Sequence, residues 1–228
     1  MTGTTYPADA GPDLYLLTVL GTPTTGSGAA TRELHNATAG DPGGVVAAKS
    51  FGDLSHNVFL PGEDDDKRLL FVDNWNSPQG LGTFFADEQV QKGAGALWAD
   101  REAVLWMPGP GFGSYRLPVP SGRTVAAIGL MRAPVVSTKK AADAFHADST
   151  AKINASRQFG LIAHELWLPA PMPGSEPALE VLGVDYWLDV DRMNEWYASA
   201  EYADLGPVFT GAPVTSTWLS AGSEWVEW

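Results

Sequence analysis

Apolar and polar positions follow one another along this chain in an order that is written twice. LYLLTVLGTP (Leu14–Pro23) and VAAIGLMRAP (Val125–Pro134) are β-rich runs closing on proline, 111 residues apart. A helix is predicted after each, near Ser27–Thr38 and across Ser137–Gln158. The second is alanine-rich, with Ala142, Phe145 and Ile153 near helical spacing. FGDLSHNVFLP (Phe51–Pro61) and FGLIAHELWLP (Phe159–Pro169) come next as strands, at an offset of 108. A loop and a further strand follow, ending in VDNW and VDYW, which set Asp73 on Asp185 and Trp75 on Trp187. Ser77 and Asp189 then stand as N-caps of a helix that carries Leu81, Phe84 and Phe85, or Met193, Trp196 and Tyr197, on one face. A last strand bears Trp106 or Trp218.

The order βαββαβ, met twice, predicts an α+β protein of two ferredoxin-like units. A four-stranded sheet with both helices on one face leaves its other face bare. Two such units packed sheet to sheet, as a single-chain dimeric α+β barrel, would cover both bare faces. The expected organisation is therefore a flexible lead (1–12), a first domain (13–117) and a second domain (118–228). GDPGG (Gly40–Gly44) reads as a turn-rich insertion of the first copy, and PGPGFGSYRLPVPSG (Pro108–Gly122) as a connection without helical or alternating period.

Composition narrows the function. The 228 residues are 44% hydrophobic and 18% charged, enough for substantial cores. With 14 basic against 27 acidic residues the net charge is -13, spread over both halves, which argues against nucleic acid or an anionic membrane surface as partner. The acidic run EDDDK (Glu63–Lys67) reads as a solvated hairpin tip. Absence of cysteine removes disulfides, thiolate metal sites and a cysteine nucleophile. Neither a signal peptide nor a spanning apolar stretch is evident, so a cytoplasmic location is expected.

LFVDNWNSPQGLGTFFADEQVQ and VLGVDYWLDVDRMNEWYASAEYA resemble the antibiotic biosynthesis monooxygenase family of dimeric α+β barrels, in which a strand ending in an aromatic-tipped motif runs into a helix with aromatic and small residues. The likeness implies the fold, and a family that includes cofactor-free oxygenases of aromatic polyketides, quinol oxidases and heme-degrading enzymes. It also implies a ligand pocket between the sheet and helices of each unit, lined by Trp75 and Trp187. Heme-degrading relatives carry a ligand histidine late in the helix after that tryptophan, where this chain has none.

All four histidines fall into the repeat, His35 on His146 and His56 on His164. In a strand, Leu54, His56, Val58 and Leu60 share one face, and a histidine among aliphatic neighbours stays a neutral base. His56 and His164 are thus candidate proton acceptors for a phenol or enol, with His35 and His146 as helix partners reaching the same pocket. The competing reading makes His56 and His164 core histidines, repeated because the fold is, and His35 and His146 boundary residues. Asp73 and Asp185 are placed to orient a histidine or to serve as caps. Trp75, Trp187, Phe85 and Tyr197 are candidate substrate contacts, and Asn57 and Tyr186 candidate donors to an oxyanion. No metal-ligand spacing, strand–GxGxxG–helix context or nucleophile elbow occurs, so no metal and no cofactor is expected. The functional expectation is a cofactor-independent oxygenase or acid–base enzyme on an aromatic or polyketide-like small molecule. A non-catalytic small-molecule binder and a heme-binding protein are the alternatives.

Overall fold

The computed structural model describes residues 14–26, 28–63, 65–171, 178–202 and 206–228; the flexible lead expected for residues 1–12 lies outside them. The chain divides into two compact units. Of the described residues, one contains those from Leu14 to Trp106 together with Ser220–Trp228, and the other Met107–Leu219.

The first unit runs β1 (Tyr15–Pro23), α1 (Gly28–Ala37), α2 (Pro42–Ser50), β2 (Asp53–Pro61), β3 (Leu69–Trp75), α3 (Pro78–Phe85), α4 (Glu88–Leu97) and β4 (Trp98–Pro108). Its strands pair antiparallel in the order β4-β1-β3-β2. The helix expected after Trp75 begins where capping chemistry places it: Ser77 Oγ accepts from the Gly80 N–H at 2.9 Å, and Pro78 supplies a first-turn residue that needs no donor. GDPGG, expected as a turn, instead opens α2. Asp41 accepts from the Gly43 and Gly44 amides at 3.0 and 3.1 Å with Pro42 at the first turn, so the same residues that punctuate also cap. The core gathers Leu17, Val19, Val58, Phe71, Trp75 and Trp98, and takes in Trp225 from the last segment of the chain.

The second unit runs β5 (Tyr115–Arg116), β6 (Ala127–Pro134), α5 (Thr138–Gln158), β7 (Leu161–Pro169), β8 (Glu180–Trp187), α6 (Val190–Tyr197) and β9 (Val214–Ser220), with one 3-10 turn (Gly206–Val208). Its order is β9-β6-β8-β7-β5. Leaving β5 aside, this is the same fourth-first-third-second order as in the first unit, the ferredoxin-like arrangement. The chain is therefore α+β. A single 21-residue α5, capped by Ser137, stands where the first unit has two short helices. No helix among the described residues is long and apolar enough to cross a membrane.

Each unit bends its histidine strand at the same place. The FG pair of both repeats ends a helix, with Gly52 at φ +105° and Gly160 at φ +96°, a conformation that side chains beyond glycine resist. A register shift follows at once, between Asp53 and Ser55 and between Leu161 and Ala163. That bulge corrects the simple alternation expected for β2: Leu54 turns out to be 51% exposed, whereas His56 is 3% exposed and Val58 fully buried. Asp53 and His56, opposite Trp75 and Asp73, thereby share one face.

The stretch expected to be a featureless connection holds β5, paired through Tyr115 with His164. Its counterpart in the first unit is the segment Ser220–Trp228, referred to below as the strap. His56 and Trp228 exchange two backbone hydrogen bonds, at 2.9 and 3.2 Å. The correspondence extends to side chains. Glu227 Oε1 accepts the Val58 amide at 2.7 Å, as Ser114 Oγ accepts the Leu166 amide at 2.9 Å.

Candidate functional site

In both units the strand histidine stands opposite an aspartate, and the two bond. His56 Nδ1 lies 2.8 Å from Asp73 Oδ1, and His164 Nδ1 lies 2.6 Å from Asp185 Oδ1. Cross-strand register fixes both pairs, because the antiparallel ladder sets His56 against Asp73 and His164 against Asp185. Orientation, rather than capping, is what these aspartates provide. From there the two sites diverge.

In the first unit His35, with no exposed surface, reaches across from α1 to place its Nε2 3.0 Å from His56 Nε2. Its Nδ1 lies 2.9 Å from Asn36 Oδ1. Every ring nitrogen of the pair is thus occupied. The two imidazoles stack at 5.3 Å between centroids, and Trp228 stacks on His56 at 4.7 Å while Trp225 lies 5.1 Å from His35. Burial pushes His35 down to about 4, against the pull of Asn36 and together with the charge on His56. Burial also opposes charge on His56, but the charge and hydrogen bond of Asp73, with Asp53 and Glu227 behind them, leave it raised. Asp53 is buried with Oδ1 unbonded, and burial, then the charge of Asp73, pushes it up to about 8.

In the second unit the network opens outward. The His164 side chain is 20% exposed, and no bond to its Nε2 is present among the described residues. Asp185 is held from its other side by the Tyr197 hydroxyl, which donates to Oδ2 at 3.0 Å, and Tyr197 in turn accepts from Trp187 Nε1 at 3.2 Å. Burial and the Asp185 charge hold the Tyr197 phenol well above its ordinary range, so it keeps the proton that it donates to Asp185. Gly129 makes the arrangement possible. It pairs with Asp185, and a Cβ there would stand 1.9 Å from the Tyr197 hydroxyl oxygen. Tyr115 flanks His164 with ring centroids 6.1 Å apart. Burial raises its phenol to about 12.

The structure gathers some of the residues singled out in the sequence and separates others. His35 and His56 meet; Trp187, Tyr197 and His164 share one cluster. His146, by contrast, is exposed on α5, whose inward positions are Ala141, Phe145 and Ser149. One residue along a helix is about 100° of rotation, so His146 points away from the position His35 holds in its own unit. Asn57 and Tyr186 adjoin the histidine and the aspartate in sequence and therefore face the other side of the sheet. Asn57 Nδ2 donates to the Val72 carbonyl at 3.1 Å, and Tyr186 lies under the Arg116 guanidinium at 4.5 Å. Trp75 and Phe85 pack together at 6.0 Å, with Trp75 Nε1 unbonded. Asn36, Asp53, Tyr115 and Gly129 were not singled out as site residues in the sequence. Aligning the aromatic pairs Phe112–Tyr115 and Trp225–Trp228, both spaced by three, was the signal for the strap. Among the described residues no group of three or more His, Asp or Glu could hold a metal ion.

No family model and no curated protein matches the sequence. Solved structures do share its fold. An anthrone oxidase-like protein superimposes with a TM-score of 0.62 at 16% identity, over 96% of this chain and 97% of that one. A candidate monooxygenase from Fusobacterium nucleatum subsp. nucleatum ATCC 25586 gives 0.63 at 9%, over 92% and 93%. A ferredoxin-fold protein related to antibiotic biosynthesis monooxygenases, from Listeria monocytogenes 4b F2365, gives 0.50 at 9%, over 92% and 96%. At these identities the likeness is one of fold: this chain has the ferredoxin-type α+β fold found in monooxygenase-type proteins.

Proposed function

We propose that the chain is an oxygenase or related acid–base enzyme that acts on an aromatic or polyketide-like small molecule, and that His164 in the second unit is its proton acceptor. One observation carries the reading. Asp185 orients the imidazole at 2.6 Å and is itself held by Tyr197, while Nε2 carries no bond among the described residues and the ring is partly exposed. That is the arrangement of a general base with its orienting group. His164 Nε2 takes a phenolic or benzylic proton, and Asp185 stabilises the imidazolium that forms. The resulting carbanion or phenolate is electron-rich enough to reduce dioxygen itself. At a ring CH2 of the anthrone type, one oxygen atom becomes the new carbonyl and the other leaves as water, with both C–H electron pairs supplied by the substrate. No organic cofactor or metal is needed in that balance. Tyr115 lies beside the base, with ring centroids 6.1 Å apart. The histidines of the first unit have no free nitrogen, which makes that unit the structural half. The proposal includes an origin by duplication of one ferredoxin-like unit.

The test is oxygen consumption with an anthrone as probe. Wild-type protein is expected to consume oxygen and form the quinone, and His164→Gln to lose about 10²–10⁴-fold of that rate with the fold intact. A variant that turns over as fast as wild type would overturn the assignment. Ligand-induced thermal stabilisation shared by wild type and variant, without turnover in either, would support a non-catalytic binder instead. A Soret band on heme addition that His164→Gln abolishes would turn the reading to heme.

A further inference from the structure

The hydrogen bonds of the first unit fix a proton count. Asn36 donates from Nδ2 to the Glu224 carbonyl at 2.9 Å and accepts the Val226 amide at Oδ1 at 3.0 Å, so two backbone groups set which way its amide points. Oδ1 is therefore an acceptor, and His35 Nδ1 beside it must carry a hydrogen. Because burial keeps His35 neutral, its Nε2 presents a lone pair. The contact at 3.0 Å then requires that His56 Nε2 carry the hydrogen. On its other side His56 Nδ1 meets the Asp73 carboxylate at 2.8 Å, and a further proton must lie between them. Three protons occupy a chain in which two neutral imidazoles and one carboxylate would supply two. Remove the third, and two lone pairs face each other somewhere along it.

We infer that the first unit contains a proton-binding site, one proton held along Asp73–His56–His35, and that its occupancy fastens the strap Ser220–Trp228 onto β2. The coupling is physical contact. The strap rests its two tryptophans on the two imidazoles, and bonds to Asn36 through Glu224 and Val226. It also pairs with β2 at His56 and Val58. Loss of the proton forces the rings apart and lifts the tryptophans that lie on them.

The charged groups around the site come from every element packed on it. His35 belongs to α1, Lys49 to α2, Asp53 and His56 to β2, and Asp73 to β3. The strap adds Glu227, and Glu224, which pairs with Arg32. Two directions follow. His56 stands above its ordinary value when clasped, so its contribution to the clasp is complete below the ordinary histidine range and is lost as pH rises through the raised value. Asp53, protonated up to about 8 in place, acts in the same direction, because release lets it ionise. His35 acts oppositely. Release lets it take a proton that it refuses down to about 4, so the clasp also weakens as pH falls from the ordinary histidine range towards 4.

Amide hydrogen exchange of the whole chain tests this. Protection of the Trp228 and Ala221 amides, corrected for intrinsic exchange, should fall on the alkaline side, by up to tenfold per pH unit for His56 and more steeply where Asp53 releases its proton too. The Leu117 amide, bonded to Ile162 in the second unit, serves as the internal reference and should stay flat. Nitrogen-15 spectra near pH 6 should show both His56 nitrogens protonated and His35 Nε2 bare. Asp73→Asn should move the release midpoint to lower pH. Strap protection that ignores pH, or that changes in step with Leu117, would overturn the proposal, as would a neutral His56 in the protected state. The wild-type spectra decide even if the variant fails to fold, and none of these readouts depends on His164 or on turnover.

Discussion

The two units share an aspartate–histidine pair and use it in opposite ways. In the first, Leu17 lies opposite Asp73, and Phe85 lies against Trp75. Neither side chain can donate to Asp73; the free side of His56 is taken by His35, and the strap covers both rings. In the second, Gly129 lies opposite Asp185 and Tyr197 lies against Trp187. Phe145 fills the inward helix position and no second histidine arrives, which leaves the Nε2 of His164 available. The difference shows that a buried pair becomes structural or reactive according to what occupies its last nitrogen, and that the surrounding shell, more than the pair itself, decides.

The largest effect that separates the units is expected from His56→Phe. Removing this ring leaves Asp73 as a buried carboxylate without its partner and His35 Nε2 without its donor, at a cost of about 3–5 kcal/mol. Chemical denaturation measures the loss, and oxygen consumption by the surviving folded fraction should remain within a few-fold of wild type. A stable His56→Phe protein that has lost turnover would reverse the roles of the two units.

Much of this frame was legible in the sequence because it is local. The βαββαβ order, the N-caps Ser77 and Asp189, and the core places of Trp75 and Trp187 rest on periodicity and capping, which act over a few residues. What escaped detection is long-range or depends on a single residue. The strap pairs Trp228 with His56 across most of the chain, and its text of glycine, serine and glutamate carries no period. His146 aligned with His35 by type, yet one residue of helix rotation sends it to solvent and leaves Phe145 facing inward. The bulge after Gly52 placed Asp53 on the histidine face and moved Leu54 off it, a shift that strict alternation cannot express.

A middle-sized effect should come from Gly129→Ala. The added methyl would stand 1.9 Å from the Tyr197 hydroxyl oxygen, too close for any rotamer adjustment to relieve without moving the phenol. About 1–3 kcal/mol of stability should be lost through overpacking, measured by thermal unfolding. Turnover should fall as Tyr197 leaves Asp185. Full activity in Gly129→Ala would show that the tyrosine clamp is dispensable.

The smallest and sharpest test exchanges the two aromatic positions. Tyr197→Phe removes one hydroxyl that donates to Asp185 and accepts from Trp187, about 0.5–1.5 kcal/mol of net stability. Because it acts through Asp185 on the orientation of His164, it should lower kcat by roughly tenfold, or ~1.4 kcal/mol, with KM nearly unchanged. The reciprocal Phe85→Tyr should not build a second clamp in the first unit, even though Trp75 Nε1 lacks a partner there. Leu17 fills the space that Gly129 leaves open, so the new hydroxyl meets a side chain before it reaches Asp73. Only the pair Leu17→Gly with Phe85→Tyr should bring the hydroxyl to both groups. A double-mutant cycle on stability measures that dependence directly: coupling near zero would mean that the glycine is not what separates an open site from a closed one.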